Sequence, residues 1–363
     1  MSENPQFQVR MDDISKTRIA DAEAAPLKDG EIRVAIDRFA FTANNITYGV
    51  VGHRIGYWKF FPAAGAESDG WGVIPVWGFA DVVESKADGV AAGERLYGYF
   101  PTGPSLVMEP ANLKAVRLVD GAAHRAELPP VYNAYARVAA QAGYDAAMDD
   151  ERMLLYPLYA TSFCLYDFLL DNDWFGAEQV VIVSASSKTS IGLAYALADD
   201  NNAPKQIGLT SPRNKDFVTG LGLYDAVATY DALSDIDASK PTVIIDMSGN
   251  GDVLAGLHRH LGDNMKYTSN VGVTHWEDNE MGEGFIRERS AMFFAPGHIQ
   301  KRTKEWGPGV FEQKAFDFWR TASIRSRDWL KLNRIDGLEG LADVYDNVRN
   351  GAFSPSEGLI VSL

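Results

Sequence analysis

Between Ser184 and Gly192 the chain reads SASSKTSIG, which places hydroxyls at Ser184, Ser186, Ser187, Thr189 and Ser190, a cation at Lys188 and a glycine at Gly192. The apolar run VVIV stands before this stretch and LAYALA after it, so the order is strand, turn of small residues, helix. A helix N-terminus presents unpaired N–H groups and the positive end of the helix dipole, and small side chains let a phosphate approach that backbone. Hydroxyls and an ammonium group add side-chain donors for the same anion. The arrangement suits the pyrophosphate of a dinucleotide. It departs from the usual GxGxxG turn, because serines, a lysine and a threonine replace the glycines and only Gly192 remains in a glycine position. The competing reading is an ordinary serine-rich turn.

The next apolar run ends as QIGLTSPRNK. A site for the adenine ribose of NAD would hold an Asp or Glu there to bind the ribose hydroxyls. The chain offers Thr210, Ser211, Arg213, Asn214 and Lys215 instead. Hydroxyls beside a guanidinium suit a ribose 2′-phosphate, which favours NADP(H). By themselves Arg213 and Lys215 would read as a solvated loop.

These two turns need a scaffold. Helical stretches alternate with short apolar runs at Val180–Ser184, Gln206–Thr210, Ala226–Tyr230, Val243–Asp246 and Lys266–Val273, a rhythm that predicts βαβ units and a buried parallel sheet. Before residues 150–156 the rhythm differs. EIRVAIDRFAF alternates apolar and polar residues, and IPVWGFADVV and RLYGYF are β-rich runs separated by Gly and Pro, which predicts an antiparallel barrel or rolled sheet. A length of 363 residues suits two domains. The expected division is a β-rich domain over 1–155, an α/β domain over 156–310, and a return of 311–363 to the first, with GLIVSL pairing there.

Composition narrows the partners. Forty-nine acidic against 34 basic residues give a net charge of −15, a field that repels phosphate backbones and anionic membranes, so the expected partner is a small molecule rather than nucleic acid or membrane. No apolar run reads as long enough to span a bilayer and the N-terminus lacks a signal-peptide pattern, so the expected location is the cytoplasm. The single cysteine, Cys164, rules out an intrachain disulfide and a thiolate metal cluster.

Several segments, taken in order, are similar to one known family. VAIDRFAFTANNITYGVVG resembles its early strand and Asn-containing loop, and GVIPVWGFADVVESKADGVAAGERLYGYFP its Gly-rich strands. PLYATSFCLYDFL is similar to the helix that opens its cofactor domain, GLGLYDAVATYD to the segment after its second nucleotide-domain strand, and VIIDMSGNGDVL to its fourth. The chain resembles the medium-chain dehydrogenase/reductase superfamily, in particular its zinc-free quinone oxidoreductase and enoyl reductase branch. That resemblance implies a GroES-like domain on the substrate side, a Rossmann domain binding NADP(H), hydride transfer in a cleft between them, and a homodimer. It also implies cofactor contacts from Ser248 and Gly249 after the fourth strand, and from Asn270, Gly272 and Thr274 at the end of KYTSNVGV.

Catalytic zinc is not expected. Cys164 falls in the domain-opening helix, and His258 and His260 lie two apart, on different faces of a helix. Without a metal, a reductase must stabilise a developing oxyanion through hydrogen bonds. The polar and aromatic loop from Asn44 to Lys59 is the candidate, because the family's corresponding loop lies under the nicotinamide. Tyr48 is the expected proton donor, Asn45 the residue holding substrate or cofactor, and Tyr57 and Trp58, with Phe60 and Phe61, the apolar substrate wall. Barrel packing is the competing reading for those aromatics. The functional readings are an NADP(H)-dependent reductase of a carbonyl or activated C=C bond, a non-catalytic NADP(H)-binding protein, and a binder of another phosphorylated ligand such as a coenzyme A ester.

Overall fold

The computed structural model of the chain describes residues 4–24, 26–271 and 282–363. It divides into two compact units, Met1–Leu154 with Leu330–Leu363, and Leu155–Trp329.

In the first unit, strand β1 (Ile32–Phe41) buries Ile32, Val34 and Ile36 on one face, and then Phe39, Ala40 and Phe41 in succession where both faces are covered. It carries the helix α1 (Ala43–Val50), and it pairs antiparallel with β2 (Val76–Ser85), which in turn pairs with β3 (Arg95–Phe100). The other edge of β1 is shared. Residues 32–35 pair with Ser105–Met108 and residues 38–41 with the C-terminal strand Glu357–Ser362. One long strand thus serves two partners on that edge and rolls the sheet, as the sequence rhythm predicts, and the fold is the GroES-like one that the family resemblance implies. The C-terminal GLIVSL pairs where it was expected.

The return itself starts later than expected. Helix Val310–Ser326 belongs to the second unit, and the chain rejoins the first only at Leu330. Phe311 and Ala315 on this helix pack with Cys164 in a buried cluster, so its apolar face is already used within the second unit.

Helix α2 (Asp149–Asp171) opens the second unit. By length and composition the helical stretch Ala146–Asp171 is apolar enough to cross a membrane, and 56% of its most apolar window is buried inside the protein, as in a core helix. After α2, Asp173, Trp174, Phe175 and Gly176 all adopt positive φ, at 49°, 53°, 53° and 69°. Left-handed backbone costs a non-glycine residue about 1–2 kcal/mol. Burial of Trp174 and the face-to-face stacking of Phe175 on Tyr267, with centroids 4.2 Å apart, oppose that cost.

The sheet of this unit contains β4 (Gln179–Val183), followed by α3 (Lys188–Ala198), then β5 (Lys205–Thr210), β6 (Ala226–Thr229), β7 (Thr242–Asp246), α4 (Gly251–Leu261), β8 (Met265–Asn270) and β9 (Ser290–Met292). Every pairing is parallel and the spatial order is β6-β5-β4-β7-β8-β9. This is the doubly wound 3-2-1-4-5-6 order, whose connections reverse between the first and fourth strands. All five residues of β4 and of β7 are buried, as a sheet covered on both faces requires.

Candidate functional site

Register aligns the carboxyl ends of the parallel strands. Val183 pairs with both Leu209 and Asp246, Thr210 with Thr229, and Asp246 with Asn270. The two turns singled out in the sequence, and the residues after β7 and β8, therefore emerge along one edge at the reversal point, where open α/β sheets bind ligands.

The turn after β4 is partly closed on itself. Ser184 takes φ +61°, a left-handed position where a glycine would be unstrained. Its carbonyl accepts from the Ser187 amide at 2.8 Å, and the Ala185 amide donates to the Leu209 carbonyl at 3.0 Å. Ser187 caps α3, accepting from the Ser190 amide at 3.2 Å and donating to Ser190 Oγ at 2.8 Å. Ser186 is buried, and its hydroxyl accepts from Asn214 Nδ2 at 3.1 Å. Three of the amides expected to cradle phosphate are thus engaged within the protein. The Ser186–Asn214 bond ties the two turns together, while Ser190 is held by Ser187 within the first. Lys188 and Thr189 supply the first two amides of α3, positions that have no intrahelical acceptor.

Gly192 has another task. A Cβ there would lie 2.5 Å from Ser162 Oγ and 2.6 Å from Tyr159 Cδ1, so it lets α3 pack closely on α2. It lies inside a helix contact and not at the phosphate turn.

The row also holds buried polar atoms without a partner. Thr210 Oγ1 at the end of β5, Ser211 Oγ just after it, and Ser269 Oγ and Asn270 Oδ1 at the end of β8 have no hydrogen bond among the described residues. Such groups cost about 1–3 kcal/mol each unless something satisfies them. Arg213 is exposed two residues past Ser211. Ser248 and Gly249 are committed differently. Both amides, and the Ser248 hydroxyl, donate to the buried Asp246 carboxylate at 2.7–3.2 Å. Burial raises the Asp246 pKa, and these three donors oppose the rise. Gly272 and Thr274 lie outside the described residues.

In the first unit, Thr42 and Asn45 form a capping box that starts α1: Asn45 Oδ1 accepts from the Thr42 amide at 2.8 Å, and Thr42 Oγ1 accepts from the Asn44 amide at 3.2 Å. Asn45 Nδ2 donates to the Pro75 carbonyl at 2.9 Å. Both ends of this buried amide are occupied by the fold, so Asn45 anchors the loop instead of holding a ligand. Trp58 is likewise structural. It belongs to the main apolar core, and a Cβ at Gly52 or Gly72 would strike its ring at 2.2 or 2.5 Å. Phe60 and Phe61 are buried as well.

Tyr48 stands differently. Its hydroxyl accepts from Asn44 Nδ2 at 2.7 Å and from Trp77 Nε1 at 3.3 Å, and no described residue takes its own hydrogen. Burial drives its pKa far up, as it does for Tyr57. The phenol is therefore protonated at every physiological pH and oriented to donate. Tyr57 lies against it at 4.6 Å between ring centroids and shares a 2.9 Å hydrogen bond with the Tyr132 hydroxyl. Sequence reasoning missed Trp77, Tyr99 and Tyr132. The first two were available from the period-two alternation of β2 and β3, where they are register partners. Tyr132 sits in a short 3-10 turn, Pro130–Asn133, with no periodic signal to mark it.

The described residues contain no group of three or more His, Cys, Asp or Glu placed to hold a metal ion. Cys164 is buried, while His258 faces Thr268 Oγ1 and His260 the Ile236 carbonyl.

A rolled antiparallel domain and a doubly wound parallel domain in this order define the fold of the medium-chain dehydrogenase/reductase proteins. Residues 39–354 match the family described as "Protein of unknown function (DUF2855)", and the chain belongs to that family. No curated protein matches it. Among solved structures it is similar to CurA from Vibrio vulnificus in complex with NADPH, at TM-score 0.63 and 12% identity over 99% of this chain and 98% of that one. CurK enoyl reductase has TM-score 0.60 at 13% identity over 99% of both chains. The quinone oxidoreductase from Coxiella burnetii has TM-score 0.56 at 13% identity over the full length of both.

Proposed function

We propose that this protein is an NADP(H)-dependent oxidoreductase that works without zinc and reduces a carbonyl or an activated C=C bond. The observation that carries the reading is the set of four orphaned buried polar atoms, on Thr210, Ser211, Ser269 and Asn270, along the carboxyl edge of a 3-2-1-4-5-6 sheet. The residues fit the cofactor. Thr210, Ser211 and Arg213 would hold the ribose 2′-phosphate, with no acidic side chain among residues 211–215 to oppose it. Lys188 and the first amides of α3 would hold the pyrophosphate, and Ser269 and Asn270 the nicotinamide end. The similarity in fold to an NADPH complex supports this reading.

Bound NADPH supplies a hydride. The protein's own part is to orient a donor: Asn44 and Trp77 hold the Tyr48 oxygen so that its hydrogen is available to an oxygen gaining negative charge, and water restores the proton afterwards. Because the phenol has a raised pKa, it gives up its proton only as substrate charge develops, and it stays a neutral hydrogen-bond donor before that.

Isothermal titration with NADPH and NADH tests the cofactor claim. NADPH should bind at least tenfold tighter, and Arg213→Ala should abolish the preference. No NADPH binding up to millimolar concentration refutes it. The internally paired amides of Ala185, Ser187 and Ser190 favour a second reading, a binder of NADP(H) or another phosphorylated ligand without turnover. Tight NADPH binding with no oxidation across quinones, enones and aldehydes would select it.

A further inference from the structure

Asp246 ends β7 in the middle of the sheet, paired with Val183 of β4 on one side and Asn270 of β8 on the other. The face its side chain occupies follows from the residues two positions back. Ile244 packs with Leu254 and Leu257 of α4, and its register partner Thr268 shares a hydrogen bond with His258 of the same helix. Side chains return to one face at every second residue of a strand, so Asp246 and Asn270 stand on that α4 face as neighbours across the register.

Both are buried, at 0% and 1% exposure, and both contribute acceptor oxygens there. Asp246 Oδ1 accepts from the Ser248 hydroxyl at 2.7 Å and the Ser248 amide at 2.9 Å, and Oδ2 accepts from the Gly249 amide at 3.0 Å. Every partner donates, which holds the group as a carboxylate. Among the described residues no lysine, arginine or histidine pairs with it. Asn270 Nδ2 donates to the Ala291 carbonyl at 3.4 Å, whereas Oδ1 has no donor among the described residues. A buried negative charge without a counter-ion, beside an acceptor without a donor, calls for a positive complement. The nicotinamide ring is positive in one of its two states. When a hydride passes from NADPH to a substrate, the substrate takes the hydrogen with both electrons and the neutral ring becomes a cation.

We infer that Asp246 determines which redox state of the cofactor this site prefers: its carboxylate, with Asn270 Oδ1 beside it, favours the cationic oxidised ring over the neutral reduced one. The inference rests on the proposed function in one respect, that Ser269 and Asn270 hold the nicotinamide end. The same charge eases hydride loss, because positive charge grows on the ring as the hydride leaves. It also makes NADP⁺ the tightly held product.

NADP⁺ and NADPH carry the same phosphates and adenosine, so the ratio of their dissociation constants cancels those contacts and reads the ring alone. Isothermal titration of the full chain with each form at pH 8 measures it. Wild type should bind NADP⁺ more tightly than NADPH. In Asp246→Asn, which keeps the size and loses the charge, the ratio of the NADPH constant to the NADP⁺ constant should fall about tenfold, the effect of a unit charge about 10 Å away at an effective dielectric constant of about 20. Ser248→Ala removes one hydrogen bond and keeps the charge, so the ratio should stay within about twofold of wild type even where both affinities drop. Equal or tighter binding of NADPH by wild type, a change under about threefold in Asp246→Asn, or as large a change in Ser248→Ala overturns the inference. The wild-type comparison needs no variant and decides the matter if Asp246→Asn fails to fold. No binding of either form up to millimolar concentration removes the cofactor reading and this inference with it, whereas binding of both without that preference removes this inference alone.

Discussion

Replacing Gly192 by alanine separates packing from ligand binding at the turn that attracts most attention in the sequence. The added Cβ would sit 2.5 Å from Ser162 Oγ and 2.6 and 3.0 Å from two carbons of the Tyr159 ring. Neither neighbour can give way cheaply. Ser162 Oγ bonds the carbonyls of Thr189 and Leu158 at 2.7 and 3.0 Å, and the buried Tyr159 is held by a 2.6 Å bond to Ser326 Oγ. Helix α3 must move off α2 by something near 1 Å, an overpacking that costs about 1–3 kcal/mol. A broken hydrogen bond adds about 1 kcal/mol, and the better helix propensity of alanine returns a similar amount. A net loss of about 2 kcal/mol corresponds to a fall of about 4–8 °C in the melting temperature of a domain this size. Differential scanning calorimetry reads that shift. Because the clash lies between helices, NADPH affinity should change less than about threefold once measured well below the transition, and Ser162→Ala should recover part of the loss by removing the nearest atom. A melting temperature within about 1 °C of wild type, combined with NADPH binding weakened tenfold or more, would refute the packing assignment and return Gly192 to the phosphate site.

Other outcomes follow from single side chains. Tyr48→Phe should lower kcat by about 10²-fold with any substrate that oxidises NADPH, while leaving the NADPH dissociation constant unchanged; an unaltered kcat would remove Tyr48 as donor. Asn45→Ala should destabilise the first unit by about 1–3 kcal/mol through loss of the cap and the Pro75 bond, with KM values unaltered. A KM effect without a stability effect would make it a ligand contact after all. Burial holds the His258 pKa at about 4, while Nδ1 accepts from the Ile286 amide at 2.8 Å. The unfolded chain takes up this proton near pH 6.5 and the folded one only near 4, so the contribution is whole above about pH 6.5 and lost as pH falls to about 4, at most about 3 kcal/mol. Urea unfolding at pH 7 and 4.5 should show this loss, and His258→Asn, which keeps an acceptor near the Nδ1 position, should show less of it. Equal acid sensitivity in both proteins would contradict the assignment.

Chain order and periodicity decided the scaffold. Alternation in EIRVAIDRFAF, unbroken apolar runs such as VVIVS and the spacing of helices between them are local properties, and they led to β1 and β4 within a residue and to five of the six parallel strands, while the short β9 carried no such signal. Absence of an acidic residue from the turn at 211–215 was equally plain. What each polar side chain does was not. Asn45 reads as a binding residue until the Thr42 amide and the Pro75 carbonyl are seen to occupy both its ends, and Gly192 reads as a phosphate glycine until Tyr159 and Ser162 appear across from its Cα. Tyr132 was invisible because its partners come from residues 48, 57, 77 and 99, brought together only by sheet pairing and the loops that sheet carries. A residue's type limits which bonds it can make, but the bonds it makes depend on neighbours distant in the chain, and those are set only when the tertiary structure forms.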